Sequence, residues 1–203
     1  MLLWDVDTQV DFLLPGGRLY VPGAEAIIPN LACLTQFARK MRLPLISSAD
    51  AHHPDDPELK TYPPHCLAGT TGQKKIPETL LPNRFVIPNR PADLPPAKDF
   101  QQIIIEKQQF DVFTNPNTDT LLQQFGSKLQ ILMYGVVTEI CVCAAARNLL
   151  RRGHKVTLIS DAVRALDEAK ASEFIDELLR AGGQLINTND AVRRTSSTIR
   201  SES

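Results

Sequence analysis

The chain has 203 residues, of which 43% are hydrophobic and 22% are charged, and its formal net charge is -1. These values are typical of one globular domain that is large enough to fold without disulfides or a structural metal. The near-neutral charge argues against nucleic acid and anionic membranes as partners. The absence of any run of 18 apolar residues in the sequence argues against a membrane-spanning helix.

The residues at the N-terminus and the expected redox state of the cysteines both bear on where in the cell the protein is found. A charged residue at position 5 interrupts the opening apolar stretch, so the sequence predicts no signal peptide. We therefore expect a cytoplasmic protein in which the four cysteines, at positions 33, 66, 141 and 143, are free thiols.

Strands and helices are predicted to alternate from the start of the chain. Residues 2–6 form a short apolar run typical of a buried strand, and the Gly- and Pro-rich residues 8–22 indicate a loop. Hydrophobic residues then recur at helical spacing over residues 24–42, and a second strand is predicted over 43–48. Residues 51–98 carry ten of the fifteen prolines and show little periodicity, which predicts a long functional loop.

Regular alternation continues after this loop. Strands are predicted over 102–106, 129–134, 155–160 and 184–187, and helices over 117–125, 138–152 and 166–181. The pattern indicates a three-layer α/β/α fold with a mostly parallel central sheet, built as a single domain over residues 1–191. Residues 192–203 are polar and predict a flexible C-terminal tail. In such sheets ligands bind at the carboxyl ends of the strands, so polar residues there are expected to converge.

Cys141 is the candidate nucleophile. The predicted elements place it in the first turn of a helix that follows a strand, where backbone N–H groups and the helix dipole lower the pKa of a thiol. The same N–H groups could hold the oxyanion of a tetrahedral intermediate. In the alternative interpretation Cys141 is a small buried residue like its neighbour Cys143.

A nucleophilic cysteine needs a proton acceptor, and Asp7 is the candidate because it follows the first predicted strand. Asp5 and Asp11 compete with it, and each of the three could instead cap a turn. Lys107 ends another apolar strand, where it could hold a carboxylate ionised or could simply be solvated.

Candidate metal ligands lie in the long loop and immediately before it. Asp50 and His52 are two residues apart, so they face the same way in an extended segment, and His65 could return across the loop. One carboxylate and two imidazoles suit Zn²⁺, Mn²⁺ or Fe²⁺ with open positions. His53 and Glu58 are further candidates, and the alternative is a polar loop without a metal.

Five motifs occur in this order along residues 2 to about 165: DTQVDF at 7–12, DAH at 50–52, YPPHCLAGTTG at 62–72, the strand-ending lysine at 107, and GVVTEICV at 135–142. As a set they resemble the motifs of nicotinamidases, which are members of the isochorismatase-like cysteine hydrolase superfamily. In two places the chain departs from that pattern. Tyr62 stands where a tryptophan is usual, and Glu58 stands where some members carry a ligand histidine.

The resemblance implies an isochorismatase-like fold with a catalytic triad of Asp7, Lys107 and Cys141. It also implies a cis peptide bond between Val136 and Val137, with the N–H groups of Val137 and Cys141 forming the oxyanion hole. It further implies one divalent ion, Zn²⁺ ahead of Mn²⁺ or Fe²⁺, bound by Asp50, His52 and His65, with Glu58 as a candidate fourth ligand. Finally, it implies a substrate pocket in which Phe12 and Tyr62 sandwich an aromatic ring.

The implied reaction is hydrolysis of nicotinamide to nicotinate and ammonia through a cysteine thioester, as part of NAD salvage. The expected partner is a small aromatic amide, with a homo-oligomer left open. One alternative is another cysteine amidohydrolase of this superfamily that acts on a carbamoyl or ureido substrate without needing the metal. A vinyl ether hydrolase such as isochorismatase is disfavoured by Cys141, and a non-catalytic metal- or thiol-binding protein is the most distant alternative.

Overall fold

A seven-stranded sheet in which every pair of neighbouring strands is parallel forms the centre of the protein. The computed structural model describes residues 1–202, and it describes side chains as far as residue 196. The strands are β1 (Leu2–Val6), β2 (Leu45–Asp50), β3 (Arg84–Ile87), β4 (Gln102–Lys107), β5 (Gln130–Val136), β6 (Lys155–Arg164) and β7 (Gln184–Ile186). The α-helices are α1 (Val10–Leu13), α2 (Ile28–Met41), α3 (Thr118–Gln123), α4 (Cys143–Arg151), α5 (Glu168–Arg180) and α6 (Thr188–Glu202). Across the sheet the strand order is β3-β4-β2-β1-β5-β6-β7.

Helices cover both faces of the sheet, because the central strands are apolar on both sides. Trp4 of β1 belongs to an apolar cluster that includes Leu149 of α4 and Phe174 of α5. Leu3, the preceding residue of the same strand, belongs to a second cluster that includes Leu34 of α2. Successive side chains of a strand point to opposite faces, so these two clusters are the two cores of a three-layer structure. The predicted α/β/α fold with a parallel sheet is therefore confirmed.

Strand β3 lies inside residues 51–98, where the sequence predicts one long loop. It has only four residues and forms an edge of the sheet, so it offers little alternation for a sequence pattern to reveal. Pro82 and Pro88 flank it, and proline is tolerated beside an edge strand because no neighbour needs its missing N–H group. The rest of the loop is mostly irregular and includes short 3₁₀ turns, among them Pro57–Lys60.

Helix α6 crosses the boundary at residue 192 where the sequence predicts an irregular tail. Ala191 and Thr195, one helical turn apart, are buried, and the Thr195 hydroxyl donates a hydrogen bond to Met1 Sδ. A sequence pattern does not reveal a buried helix face made of such small residues in a Ser-, Thr- and Arg-rich segment. The flexibility expected of residues 192–203 stays a prediction. Among the helices within residues 1–202, none is both long and apolar enough to cross a membrane.

Gly135 allows β5 to lie against β1 at the point where the chain turns into the Cys141 segment. It pairs with Val6, and the register of β5 with β6 shifts between Met133 and Gly135. Its φ angle is +118°, and a Cβ atom placed on it would lie 2.0 Å from the carbonyl oxygen of Val6. A side chain at this position therefore meets both backbone strain and a direct clash.

We expect Gly135→Ala to lower the free energy of unfolding by about 3 kcal/mol more than Gly126→Ala does. Gly126 is the matched control because its φ angle is +117° and no atom lies within 4 Å of its added Cβ, so it carries the strain without the clash. Chemical denaturation of both variants measures the difference, and equal losses would show that the β1–β5 contact does not require glycine.

Candidate active site

Four buried polar side chains meet at the carboxyl end of the sheet. Asp7 directly follows β1, Asp50 and Lys107 are the last residues of β2 and β4, and Cys141 follows β5. Strands β4, β2, β1 and β5 are consecutive neighbours in the sheet, so their ends bring the four side chains together although they are far apart in sequence. This is the convergence that a parallel sheet predicts.

Lys107 is the centre of this group. Its ammonium nitrogen lies 2.9 Å from Asp7 Oδ2 and 3.6 Å from Cys141 Sγ, and it donates a hydrogen bond to Asp50 Oδ1. Burial disfavours a charged ammonium, but the carboxylates of Asp50 and Asp7 outweigh burial and hold the pKa of Lys107 well above its usual value. Lys107 is therefore a permanent positive charge inside the site.

Asp7 is the one carboxylate of residues 5, 7 and 11 that contacts Lys107. Asp5 instead pairs with Lys75, whose Nζ lies 3.1 Å from Asp5 Oδ2. Asp11 accepts a hydrogen bond of 2.7 Å from the backbone N–H of Cys66, which fastens the loop next to His65. Of the three aspartates that the sequence offers as the proton acceptor, the geometry therefore favours Asp7.

The backbone and side chain of Asp7 are both fixed by Ser48. The Ser48 hydroxyl donates to Asp7 Oδ1 at 2.7 Å, and the Asp7 N–H donates to the Ser48 carbonyl at 3.2 Å. Asp7 has a φ angle of +48°, in the left-handed region that is uncommon for residues other than glycine. These contacts hold its carboxylate toward Lys107 in spite of that backbone strain.

Cys141 lies in a tight turn rather than at the start of an α-helix. The peptide bond between Val136 and Val137 is cis, as the resemblance implies, and a π-helical turn, Thr138–Val142, precedes α4. The carbonyl oxygen of Val137 accepts hydrogen bonds from the N–H groups of Ile140 and Val142, each at 3.1 Å. These two hydrogen bonds therefore fix the backbone on both sides of Cys141 relative to Val137.

The direction of the Cys141 pKa shift is opposite to the one expected from a helix N-terminus. Burial raises the pKa of the thiol well above its usual value, and although Lys107 lowers it, Asp7 and Asp50 raise it further. The expectation of a lowered pKa is wrong because it omits burial and the two neighbouring carboxylates. In this arrangement Cys141 is a neutral thiol that needs a base to become a nucleophile.

The second group in the site consists of Asp50, His52, Glu58 and His65, whose ligand atoms all lie within 4.8 Å of one another. His52 Nε2 lies 3.8 Å from Asp50 Oδ2 and 3.7 Å from Glu58 Oε1, and His65 Nε2 lies 3.6 Å from that same Glu58 oxygen. Ligands about 2.1 Å from a tetrahedral Zn²⁺ would be roughly 3.4 Å apart, so the spacing fits a divalent cation. His53, the other candidate, is exposed and lies outside the group.

The two imidazoles are oriented with one nitrogen toward the centre of this group. His52 Nδ1 lies 3.0 Å from Asp56 Oδ2, and His65 Nδ1 lies 2.8 Å from the carbonyl oxygen of Pro63. Both oxygens can only accept, so each Nδ1 carries the proton and each Nε2 has a free lone pair. Both Nε2 atoms are buried and make no hydrogen bond to any residue that the structure describes. Such an arrangement suits ligation of a metal by His52 and His65.

Burial also raises the pKa of the two carboxyl groups in this second group. The pKa of Asp50 rises to about 6, because burial outweighs the opposing charge of Lys107. The pKa of Glu58 rises to about 7, from burial and from the charge of Asp50. A bound cation removes this penalty by replacing the protons, which couples metal affinity to ionisation of both carboxyl groups.

A largely apolar cleft opens onto both groups. Asp50, Glu58, His65 and Cys141 contribute to its wall, and its apolar lining is Phe12, Leu19, Tyr62, Phe110, Val137, Ile140 and Leu166. The Phe12 ring centroid lies 5.3 Å from that of His65, and the Tyr62 ring meets Phe110 edge-on at 5.9 Å. The thiol and the candidate metal-binding group thus face one space with aromatic walls.

The sequence model of the isochorismatase domain family matches residues 2–190. The chain belongs to this family. Its structure is similar to that of the pyrazinamidase of Pyrococcus horikoshii in complex with zinc, with 25% identity and a TM-score of 0.75 over 92% of this chain and 98% of the other. It is also similar to the N-carbamoylsarcosine amidase of Thermoplasma acidophilum, with 25% identity and a TM-score of 0.72 over 92% and 95% of the two chains.

A partial sequence match to a zebrafish protein points to the same family. The isochorismatase domain-containing protein 2 of Danio rerio is 28% identical over 86 residues, which are 42% of this chain and 43% of that protein. The match therefore spans less than half the length of this relative. This partial match agrees with the membership of the isochorismatase domain family that the match over residues 2–190 shows.

Several residues of this isochorismatase-family site are not found by sequence reasoning. Gln9 clamps Asp50: its Nε2 donates to the Asp50 carbonyl at 2.8 Å, and its Oε1 accepts from the Asp50 N–H at 2.7 Å. The Gln9 position within the DTQVDF motif was a usable signal, because a polar residue between two functional aspartates suggests a shared role. Leu19, Phe110 and Leu166 carried no such signal, since isolated apolar residues in loops match no pattern.

We expect this isochorismatase-family protein to bind one Zn²⁺ per chain, and His52→Ala or His65→Ala to weaken that binding by more than about a hundredfold. His53→Ala is the matched control, because His53 is adjacent in sequence but exposed and outside the ligand group. Calorimetric titration of the metal-free protein measures all three affinities. Unchanged affinity in either ligand variant would exclude that histidine from the site.

Proposed function

We propose that the protein is a nicotinamidase, which hydrolyses nicotinamide to nicotinate and ammonia through a thioester on Cys141. The observation that carries this proposal is the single cleft lined both by the thiol and by Asp50, Glu58 and His65. A flat amide with a ring nitrogen on one side and a carboxamide on the other suits a space with a nucleophile and a cation site on its wall. The likeness to a zinc-bound pyrazinamidase at 25% identity supports the same substrate class.

In the proposed first step the Asp7 carboxylate accepts the proton of the Cys141 thiol. The sulfur attacks the carboxamide carbon, and the carbonyl electron pair moves onto oxygen, where the N–H groups of Val137 and Cys141 stabilise the negative charge. The raised pKa of Cys141 makes a base necessary for this step. Lys107, 2.9 Å from Asp7, balances the charge of the carboxylate before it takes up the proton.

Asp7 then donates the proton to the amide nitrogen, the C–N bond breaks, and ammonia leaves. The acyl group remains on Cys141 as a thioester. Asp7, again ionised, accepts a proton from a water molecule whose oxygen attacks the thioester carbon. The carbon–sulfur bond breaks, the sulfur regains a proton, and the carboxylic acid is released.

The residues Asp50, His52, His65 and Glu58 would hold a divalent ion, which we propose to be Zn²⁺ because two imidazoles and two carboxylates suit its ligand preference. When bound, the ion supplies a Lewis acid for the ring nitrogen and so fixes the orientation of the substrate. Phe12 and Tyr62 bind the faces of the ring, with Tyr62 in the place of the tryptophan usual in nicotinamidases. The product nicotinate would enter NAD salvage.

A second candidate function is hydrolysis of a carbamoyl or ureido substrate by the same Asp7, Lys107 and Cys141. It is favoured by the similarity to N-carbamoylsarcosine amidase, which has the same identity of 25% as the pyrazinamidase. The residues around Cys141 suit both reactions, whereas a metal-ligating group in the cleft is useful only for a substrate with a donor atom distant from the amide.

We expect Cys141→Ala to lower the rate of ammonia release from nicotinamide by more than about a thousandfold, because the nucleophile is lost. Cys143→Ala is the matched control, since Cys143 is also buried and lies two residues away but does not line the cleft. A coupled ammonia assay compares the variants. Near wild-type activity in the Cys141 variant would assign the nucleophile to another group.

An amide panel with and without a chelator separates the two candidate functions. We expect nicotinamide and pyrazinamide to be hydrolysed, and removal of the metal to raise their KM by about tenfold or more. A ureido substrate turned over equally well by the metal-free protein, with no activity on the aromatic amides, would support the second function and reject the first.

A further inference from the structure

Leu166 forms part of the cleft wall although it receives little support from the core. It lies in the turn between β6 and α5, and 40% of its surface is exposed. A side chain in an apolar core is positioned by packing, but one this exposed depends on how its backbone is held. The contacts of the turn at residues 165–167 therefore determine the position of the Leu166 side chain in the cleft wall.

Glu139 holds that turn. Its Oε1 accepts two backbone hydrogen bonds, from the N–H of Leu166 at 3.0 Å and from the N–H of Asp167 at 2.8 Å. The Asp167 side chain in turn caps α5 by accepting from the N–H groups of Ala169 and Lys170. The turn is therefore fixed at Leu166, which faces the cleft, and at Asp167, which caps α5.

Glu139 also lies in the π-helical turn that carries Cys141, two residues before the thiol. One side chain therefore connects the nucleophile turn to the loop that supplies a wall of the cleft. Glu139 itself does not line the cleft, so its contact with the substrate would be indirect.

We propose that Glu139 is a positioning residue that fixes Leu166 as a wall of the substrate pocket and so sets the preference of the protein for a ring-bearing amide. This proposal rests on the proposed function for its substrate class. It assigns no chemical step to Glu139, whose effect is transmitted through the backbone of Leu166.

A double-mutant cycle tests the proposal. Glu139→Ala and Leu166→Ala are each expected to raise KM for nicotinamide by about tenfold, the usual effect of a lost apolar wall contact, with kcat changed by less than about threefold. The double variant is expected to match the single variants, because both substitutions remove the same wall. Glu139→Gln keeps an oxygen acceptor for the two N–H groups and is expected to restore the wild-type KM.

Two outcomes would overturn the proposal. If Glu139 instead supports the Cys141 turn, Glu139→Ala will lower kcat, and the effects of the two single substitutions will multiply in the double variant. If Glu139 has no role in the pocket, Glu139→Ala will behave like Glu168→Ala, a control at an exposed glutamate that follows the same turn. Melting curves of every variant show whether a change in KM reflects general unfolding.

A second readout does not depend on the amide substrate. The alkylation rate of Cys141 by iodoacetanilide, which carries a ring, is divided by that of iodoacetamide, which does not, using mass spectrometry of the Cys141 peptide. We expect Glu139→Ala and Leu166→Ala to lower this ratio by about fivefold or more, and Glu139→Gln to leave it unchanged. An inactive wild-type protein with this response would reject the proposed function alone, whereas an unchanged ratio in all variants would reject the role of Glu139.

Discussion

A buried ammonium group shared by two carboxylates is the constraint on which the site depends. Lys107 is 1% exposed, and a charge so far from water is costly unless partners surround it. Asp7 and Asp50 provide those partners, and the favourable interaction is mutual, since each carboxylate is also buried. Lys107 therefore joins Asp7, the candidate base that follows β1, to Asp50, the candidate metal ligand at the end of β2, and a change in either half of the site affects the other through it.

The same group of charges also surrounds the thiol. Burial raises the pKa of Cys141 well above its usual value, and Asp7 and Asp50 raise it further, so Cys141 is a neutral thiol beside the Asp7–Lys107 ion pair. In the proposed mechanism the thiol proton moves to the Asp7 carboxylate, and both side chains are buried, so the transfer takes place inside the protein.

The loop of residues 51–83 brings the remaining ligands to this centre, and its supports are spread along the chain. Asp11 accepts a hydrogen bond from the N–H of Cys66, and Gln9 binds the backbone of Asp50, so the DTQVDF segment fixes both sides of the candidate metal-binding group. The N–H of His52 also donates to the carbonyl of Cys66, at 3.1 Å, which ties the two histidine segments directly together. A loop with so few regular elements can hold a precise site because isolated β-bridges and buried polar side chains both fasten it.

The sequence predicts the residues at the strand ends well, but it does not predict features that depend on local three-dimensional geometry. Short apolar runs mark the strands, and this places the residues that follow them, Asp7, Asp50 and Lys107, at the carboxyl end of the sheet. The pKa direction at Cys141 could not be read in the same way, because it depends on burial and on carboxylates that are distant in sequence. The role of Glu139 was equally hidden, since its partners are backbone N–H groups of another loop.

Acid quenching during turnover with nicotinamide tests most directly whether Cys141 is the nucleophile. Mass spectrometry of the quenched protein is predicted to show one nicotinoyl group on the peptide that contains Cys141, and none on the peptide that contains Cys33. Steady ammonia release without any acyl group on Cys141 at any quench time would contradict the account.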